Sequence, residues 1–367
     1  MPLTGPQFQQ FLDALLDAFR ERVDLAIMLR AHLGKSLNAI ANTNSLKNDL
    51  FFLLEKAEAE GWMAELLDAA RQANPGNQLL LAFASQHAAE IRRKALPPGS
   101  PAEAPRLACE PRVVRIPAGL FLMGSTDEQI EQAIEDGATE WVKDEQPQHM
   151  VETGEYTISL YPVTNREYQA FIRESGRLPP NGWNGDQVPS HKANHPVVNV
   201  SWYDAWAYCK WLSQETGKDY RLPSEAEWEK AARGMDGQIY PWGDEFTKGK
   251  ANTKEAGIGN TTPAGQFSPQ GDSPYECADM IGNVWELTRS LFLDYPYQAG
   301  DGREDLKREG PRVLRGGAFY NYRRRARCAC RVRCDPDARD RGIGFRVVVS
   351  SLSLDSGDSG TNESSGS

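Results

Sequence analysis

Asp279-Met280-Ile281-Gly282-Asn283-Val284-Trp285-Glu286, then Arg315-Gly316-Gly317, then Gly344-Phe345-Arg346, are the stretches on which the fold turns. They lie in one block, about residues 110–349, of short strand-like runs, two clear helical stretches and long loops. The chain carries 32 Gly and 23 Pro, so loops are plentiful. One helix is read from Ser201 to Glu215, where Trp202, Ala205, Trp206, Cys209, Trp211 and Leu212 give an aromatic-heavy face. The other is read from Pro223 to Arg233 and opens with Ser224, three residues before Glu227, the spacing of a capping box. Nine Trp, twelve Tyr and thirteen Phe supply the large side chains of a sizeable core. The pattern predicts an α+β domain, poor in helix and rich in loop.

Residues 1–94 read differently. Phe8, Phe11, Leu12, Leu15, Leu16 and Phe19 recur at helical spacing behind Thr4. Leu25, Met28 and Leu29 mark a second helix that ends near Gly34, and Leu50, Leu53, Leu54 and Ala57 a third from about Leu46 to Glu60. Met63, Leu66, Leu67 and Ala70 mark a fourth, stopped by Asn74-Pro75-Gly76, and a fifth runs from about Asn77 to Lys94. This is a small all-α bundle with no Cys and only His32 and His87, which favours association over catalysis. Residues 95–109 are Pro-rich and read as a linker. The Ser/Gly/Asp tail, 350–367, reads as disordered.

A net charge of −10 argues against bulk binding to nucleic acid or to an anionic membrane surface. No apolar run approaches the ~20 residues of a membrane span. The start, Met1-Pro2-Leu3-Thr4-Gly5, has no signal-peptide character. Six Cys make no disulfide scaffold, so a cytoplasmic protein is expected.

Two resemblances sharpen this reading. Leu3-Thr4-Gly5, Met28-Leu29-Arg30 through Leu33-Gly34-Lys35, and Gly61-Trp62 ahead of Ala73-Asn74-Pro75-Gly76-Asn77 resemble the effector-associated domains. Those are death-fold-like adaptors of bacterial conflict systems, and the resemblance implies a homotypic partner for residues 1–94. The second resemblance starts at Ile116-Pro117-Ala118-Gly119 through Met123-Gly124-Ser125, Asp144-Glu145-Gln146-Pro147 and Tyr161-Pro162-Val163-Thr164-Asn165-Arg166-Glu167-Tyr168. It continues with His195-Pro196-Val197-Val198-Asn199-Val200-Ser201-Trp202, Arg221-Leu222-Pro223-Ser224-Glu225-Ala226-Glu227-Trp228 and Tyr240-Pro241-Trp242-Gly243, and ends on the three stretches quoted first. In that order they resemble the formylglycine-generating, or sulfatase-modifying-factor, family. The resemblance implies a C-type lectin-like fold.

The chemistry is a separate question. The enzymes of that family oxidise a substrate cysteine with copper held by two thiols, a few residues after the Gly-Gly matched by Gly316-Gly317. Here Ala318 to Arg327 contains no Cys. Cu(I) needs thiolate or thioether ligands, and this segment offers none. Cys328, Cys330 and Cys334 follow, but their spacing is not that of a zinc site. Arg327 to Cys334 alternates like a strand, with the three thiols on one face as packed core and Arg327, Arg331 and Arg333 on the other. His149, His191 and His195 are too scattered to form a triad, and His195 is expected to hydrogen-bond locally. The resemblance also implies a structural Ca²⁺ on the carboxylates of Asp279 and Glu286 and the carbonyls of Gly282 and Val284. A weaker second set uses Asn252 with the carbonyls of Thr253 and Ile258, its carboxylate falling near Ala256 with only Glu255 adjacent.

Residues 318–342 carry eight Arg and three Asp, and no Lys, Glu, Gln, Met or Trp. Those five types cannot arise by substituting adenines of an Asn codon. With Asp335-Pro336-Asp337-Ala338-Arg339-Asp340-Arg341-Gly342-Ile343-Gly344-Phe345-Arg346, the segment resembles the variable region, about 318–346, of diversity-generating retroelement proteins. That resemblance makes Tyr320, Asn321, Tyr322, Arg324, Ala326, Cys330, Val332, Cys334, Asp335, Ala338, Asp340, Arg341 and Gly342 candidate diversified, ligand-binding positions. Gly316, Gly317, Pro336, Ile343, Gly344 and Phe345 would be their fixed partners. The competing reading is an ordinary strand-loop-strand with an Arg bias. Two functions follow: a non-catalytic protein presenting an Arg/Tyr-rich face to a protein or other macromolecule, or a formylglycine-generating oxidase. A nucleic-acid face is disfavoured by the interspersed Asp335, Asp337 and Asp340.

Overall fold

The protein is described from a computed structural model, which covers residues 5–95, apart from 42, 44 and 61, and residues 110–350. The expected linker and tail lie outside the described residues, save for Ala95 and Ser350.

The helical region holds α1 (Gly5–Ala18), α2 (Arg22–Leu33), α3 (Leu37–Ile40), α4 (Leu46–Glu60), α5 (Met63–Ala73) and α6 (Gln78–Ala95). The apolar stripes read from the sequence converge on one core, with Phe11, Leu15, Leu25, Leu29, Leu50, Leu54 and Leu66 fully enclosed. Gly34 ends α2 at φ 62°, a conformation that costs glycine nothing. The short α3 was not expected. Nearby, buried Asp49 accepts from Arg22 Nε at 2.6 Å and from the Thr43 amide at 2.8 Å, fastening α4 to α2.

The second region mixes strands and helices. One sheet has the order β1 (Val113–Ile116), β4 (Tyr156–Ser159), β10 (Val348–Ser350), β5 (Asp219–Arg221), so the last strand closes between two early ones. A hairpin pairs β2 (Gly119–Met123) with β3 (His149–Thr153). The third sheet has the order β8 (Arg331–Cys334), β7 (Arg312–Arg315), β6 (Trp285–Leu291), β9 (Ile343–Phe345), and β9 runs parallel to β6. The helices are α7 (Asp127–Glu135), α8 (Asn165–Ser175), α9 (Trp202–Thr216) and α10 (Glu225–Arg233). Each opens on a complete capping box: Thr126/Gln129, Thr164/Glu167, Ser201/Asp204 and Ser224/Glu227. Two orphan amides are satisfied at each start, which lets helices of this length begin sharply. The two helices read from the sequence are α9 and α10; α7 and α8 went unread.

The core joins α8 and α9 to the third sheet. Tyr168, Phe171, Tyr208, Trp211 and Phe345 interlock, with the Tyr208 and Phe345 rings 5.4 Å apart. A second core gathers Trp228, Ala231, Met280, Ile281 and Cys328 under α10. Among the described residues no helix is long and apolar enough to cross a membrane.

The expected strand from Arg327 to Cys334 is corrected. Only Arg331–Cys334 is strand, and the residues before it turn. The three thiols therefore do not share a face: Cys328 belongs to the core under α10, Cys330 and Cys334 to the aromatic core. Nor do the arginines share the other, because Arg327 and Arg331 are buried while Arg333 is exposed.

Candidate surface for ligand binding

The site is built on two loops, 316–330 between β7 and β8 and 335–342 between β8 and β9. Gly316 and Gly317 start the first at φ 90° and 78°. A Cβ on Gly316 would stand 2.8 Å from the Met280 carbonyl, and one on Gly317 2.8 Å from that of Arg325. The chain turns here because nothing but glycine fits. The loop then leans on the 279–286 stretch: Gly282 N donates to Gly316 O at 2.9 Å, and Phe319 N to Asn283 O at 3.1 Å. Asn321 Oδ1 accepts from Ala318 N at 2.9 Å and closes a turn. Lys254 N donates to Asn321 O at 2.8 Å, and Arg323 N to Glu255 Oε1 at 2.9 Å. The Tyr320 hydroxyl donates to Asp340 Oδ1 at 2.7 Å, and that oxygen also takes the Gly342 amide at 2.8 Å. The two loops meet at this contact.

Buried ion pairs hold the loops from beneath. Arg327 places two guanidinium nitrogens on Glu145 at 2.8 and 2.6 Å. Arg331 places two on Glu225 at 2.7 and 2.9 Å, and Arg315 donates to Glu229. Arg346 grips Glu286 at 2.5 and 2.8 Å. Every partner is almost fully enclosed, so the pairing satisfies charges that would otherwise be costly. The sequence reading missed these anchors. Their signal was Glu225 and Glu229, four residues apart and so on one face of the same helix.

The candidate positions divide. Tyr322, Asp335 and Arg341 are exposed, and Tyr320, Asn321, Arg324, Val332, Ala338 and Asp340 are half-buried. Val332 and Ala338 lean on the aromatic core, so their side chains do more than face solvent. Ala326, Cys330, Cys334 and Gly342 are buried, and a display role is withdrawn for them. Ala326 packs in the core under α10, and Cys330 and Cys334 in the aromatic core. A Cβ on Gly342 would press within 2.5 Å of the Tyr320 ring. The proposed fixed partners behave as packing residues. Phe345 is wholly buried, and a Cβ on Gly344 would stand 2.6 Å from the Val197 carbonyl.

Five cysteines among the described residues are free and buried. Burial pushes the thiols of Cys328 and Cys330 up to about 12, and those of Cys277 and Cys334 to about 11. Burial in apolar surroundings raises a thiol's pKa and lowers its reactivity. His195, expected to bond locally, instead places Nδ1 3.0 Å from Thr261 Oγ1, a residue distant in sequence.

The calcium set fares poorly as a cation site. Glu286 accepts three hydrogen bonds, two from Arg346 and one from Trp228 Nε1 at 2.7 Å, so a guanidinium already neutralises it. Asp279 Oδ2 accepts from Gly265 N at 2.8 Å. The set Asp279, Gly282, Val284 and Glu286 does not fit a dication in this arrangement. Oxygens without hydrogen-bond partners lie instead at Asn252 Oδ1, Thr253 Oγ1 and Glu255 Oε2, in the region of the second set.

Asp279 then has a measurable signature. Burial pushes its carboxyl up to about 6, well above the ordinary aspartate range. A raised folded value means that its stabilising contribution is full below the unfolded value and is lost as pH rises through the folded one. Asp279→Asn is therefore expected to stabilise the protein at pH 7.5 in chelator by about 2–3 kcal/mol, with no gain below pH 4. Asn also suits the positive φ of 55° at this position. Chemical denaturation at the two pH values checks it; a loss of stability at pH 7.5, cancelled by calcium in the parent only, would restore the metal.

Comparison with known proteins gives two family matches. The sulfatase-modifying factor enzyme 1-like domain matches residues 98–351, and effector-associated domain 1 matches residues 1–88. The formylglycine-generating enzyme of Mus musculus is 31% identical over 362 residues, covering 81% of this chain and 90% of that protein. The inactive C-alpha-formylglycine-generating enzyme 2 of Mus musculus is 31% identical over 299 residues, covering 66% of this chain and 87% of that protein. Among solved structures, Treponema denticola variable protein 1 superposes with a TM-score of 0.51 at 22% identity, over 65% of this chain and 95% of that one; it shares the fold.

Proposed function

We propose that this chain, which belongs to the sulfatase-modifying factor enzyme 1-like family, is a non-catalytic binding protein that presents a diversified face to other macromolecules. The observation that carries the reading is the segment after Gly317. The family's chemistry requires two thiols there, and Ala318 to Arg327 has none. The next thiols along the chain, Cys328 and Cys330, are fully enclosed in the packed core. What the segment does offer is Tyr322, Arg324 and Arg341 at the surface and Tyr320 with Asp340 beside them. Large aromatic and guanidinium side chains give contact area and varied hydrogen bonding at low entropic cost. A relative whose name records inactivity supports a non-catalytic use of this scaffold.

In the same reading the helical region recruits a partner carrying a like module, and the pair couples ligand capture to association. Diversification of 318–346 by a retroelement would leave a mark in DNA. A near-copy of these codons, differing at adenines and lying beside a reverse transcriptase gene, is the expected finding. A neighbourhood without such a copy would favour the ordinary strand-loop-strand.

The catalytic alternative draws on the 31% identity to a formylglycine-generating enzyme. It is tested directly by incubating the protein with Cu(I) and a Cys-x-Pro-x-Arg peptide. No aldehyde above a protein-free control is expected by mass spectrometry. Aldehyde formation that depends on protein concentration would replace the binding reading with the oxidase.

A further inference from the structure

The eight arginines of 318–342 fall into two groups of different chemistry. Four meet a carboxylate: Arg323 on Asp136, Arg327 on Glu145, Arg331 on Glu225 and Arg339 on Asp204. The other four have no ion pair among the described residues, and each lies over an aromatic ring instead. Arg324 is 4.8 Å from the Tyr322 ring, Arg325 4.2 Å from Trp141, Arg333 4.7 Å from Phe292, and Arg341 5.4 Å from Phe319 and 5.6 Å from Tyr320. Lys254 adds a cation 4.6 Å from the Tyr322 ring.

A guanidinium over a ring is held in one plane while its edge N–H groups stay open. An arginine already paired with a carboxylate has used that edge. The unpaired group is thus a set of pre-oriented donors with uncompensated charge. Arg324, Arg325 and Arg341 sit on the two loops that meet at Tyr320 and Asp340. Asp340 takes hydrogen bonds from Tyr320 and Gly342 and Asp335 from the Asp337 amide, and among the described residues neither carboxylate reaches ion-pair distance of Arg324, Arg325 or Arg341.

We infer that the ligand of this face is an acidic protein segment, whose carboxylates pair with Arg324, Arg325 and Arg341 while its apolar residues meet Tyr322 and Trp141. The inference rests on the reading of 318–342 as a binding face and adds the chemical class of what it binds. Carboxylates match the planar fork of arginine in bidentate pairs. A nucleic acid presents charge without interruption, and the −10 chain with exposed Asp335 and Asp337 nearby repels it more than it repels a peptide of mixed composition.

The test uses the full chain with three fluorescent probes: a peptide of alternating Glu and Tyr, its Gln counterpart, and a single-stranded oligodeoxynucleotide of equal length. The Glu peptide should bind about tenfold or more tightly than the Gln peptide, and lose about tenfold on going from low to high salt. Combined Arg324→Gln, Arg325→Gln and Arg341→Gln should abolish that preference with the melting temperature unchanged. The same three changed to Lys should recover only part of it, because charge returns without the stacked fork. Equal binding of the two peptides, or full binding by the Gln variant, overturns the inference. Tighter binding of the oligonucleotide overturns it in favour of nucleic acid. Selection from an unbiased peptide library separates the two levels. Neutral peptides whose binding depends on Tyr322 would remove the acidic preference and keep the binding face; no selected peptide at all would remove both.

Discussion

Glu229→Gln should destabilise the mixed domain by about 3–5 kcal/mol, the range for breaking a buried ion pair from one side. The Glu229 carboxylate is wholly enclosed and takes the Gly124 amide at 2.8 Å, Arg233 Nη1 at 2.6 Å and the Arg315 guanidinium. Gln keeps one acceptor but turns an amide N–H₂ toward guanidinium donors. It also leaves Arg315, itself fully buried, with Glu225, 3.6 Å away, as its remaining carboxylate. For a domain of this size the loss corresponds to a fall in melting temperature on the order of 10 °C. The pH dependence has a definite sign. Burial pushes the Glu229 carboxyl up, but Arg315 and Arg233 more than offset it, so its folded value lies below the ordinary range. Its contribution is therefore present above the unfolded value, near 4.5, and is lost as pH falls through the folded one. The gap between parent and variant should narrow only in acid. A variant melting within 2 °C of the parent at pH 7 would show that the network is dispensable.

The same network explains what was legible in the sequence. The longer helices of the first region were readable because their apolar stripes are local, and Gly34 and Asn74-Pro75-Gly76 punctuate them, whereas the four-residue α3 was not. In the mixed domain, α7 and α8 carried the same capping signal as α10 and are no shorter than it, so the capping spacing alone could have found them. The arginines of 318–342 were the larger difficulty. Composition shows that eight are present and cannot tell a buried anchor from an exposed donor. That division depends on Glu145 and Glu225, which lie more than a hundred residues away in sequence. The thiols failed for a related reason. Alternation predicts shared faces only where the chain is extended, and Cys328 to Cys330 lies in a turn before β8.

Burial also limits which positions of 318–342 can vary, and the limit is measurable. Replacing Tyr322, Arg324, Asp335 and Arg341 together with Ser should leave the melting temperature within a few degrees, since each surface change is worth less than about 0.5 kcal/mol. Tyr320, Asn321 and Asp340 are left out of that set because they make the contacts that join and close the loops. Cys330→Arg should behave oppositely. It places a charge in the aromatic core, and the neighbouring Arg315 guanidinium, which donates to the Cys330 carbonyl at 3.1 Å, adds like-charge repulsion. Phe345→Ala, as a reference for an emptied core site, should cost about 3–5 kcal/mol. Cys330→Arg is expected to match or exceed it, because an unpaired buried charge adds desolvation to misfit. Thermal unfolding of the three variants decides the matter. A tolerant Cys330 would extend the variable set into the core, whereas an intolerant four-site Ser variant would mean that the loops are structural and that no face is free to diversify.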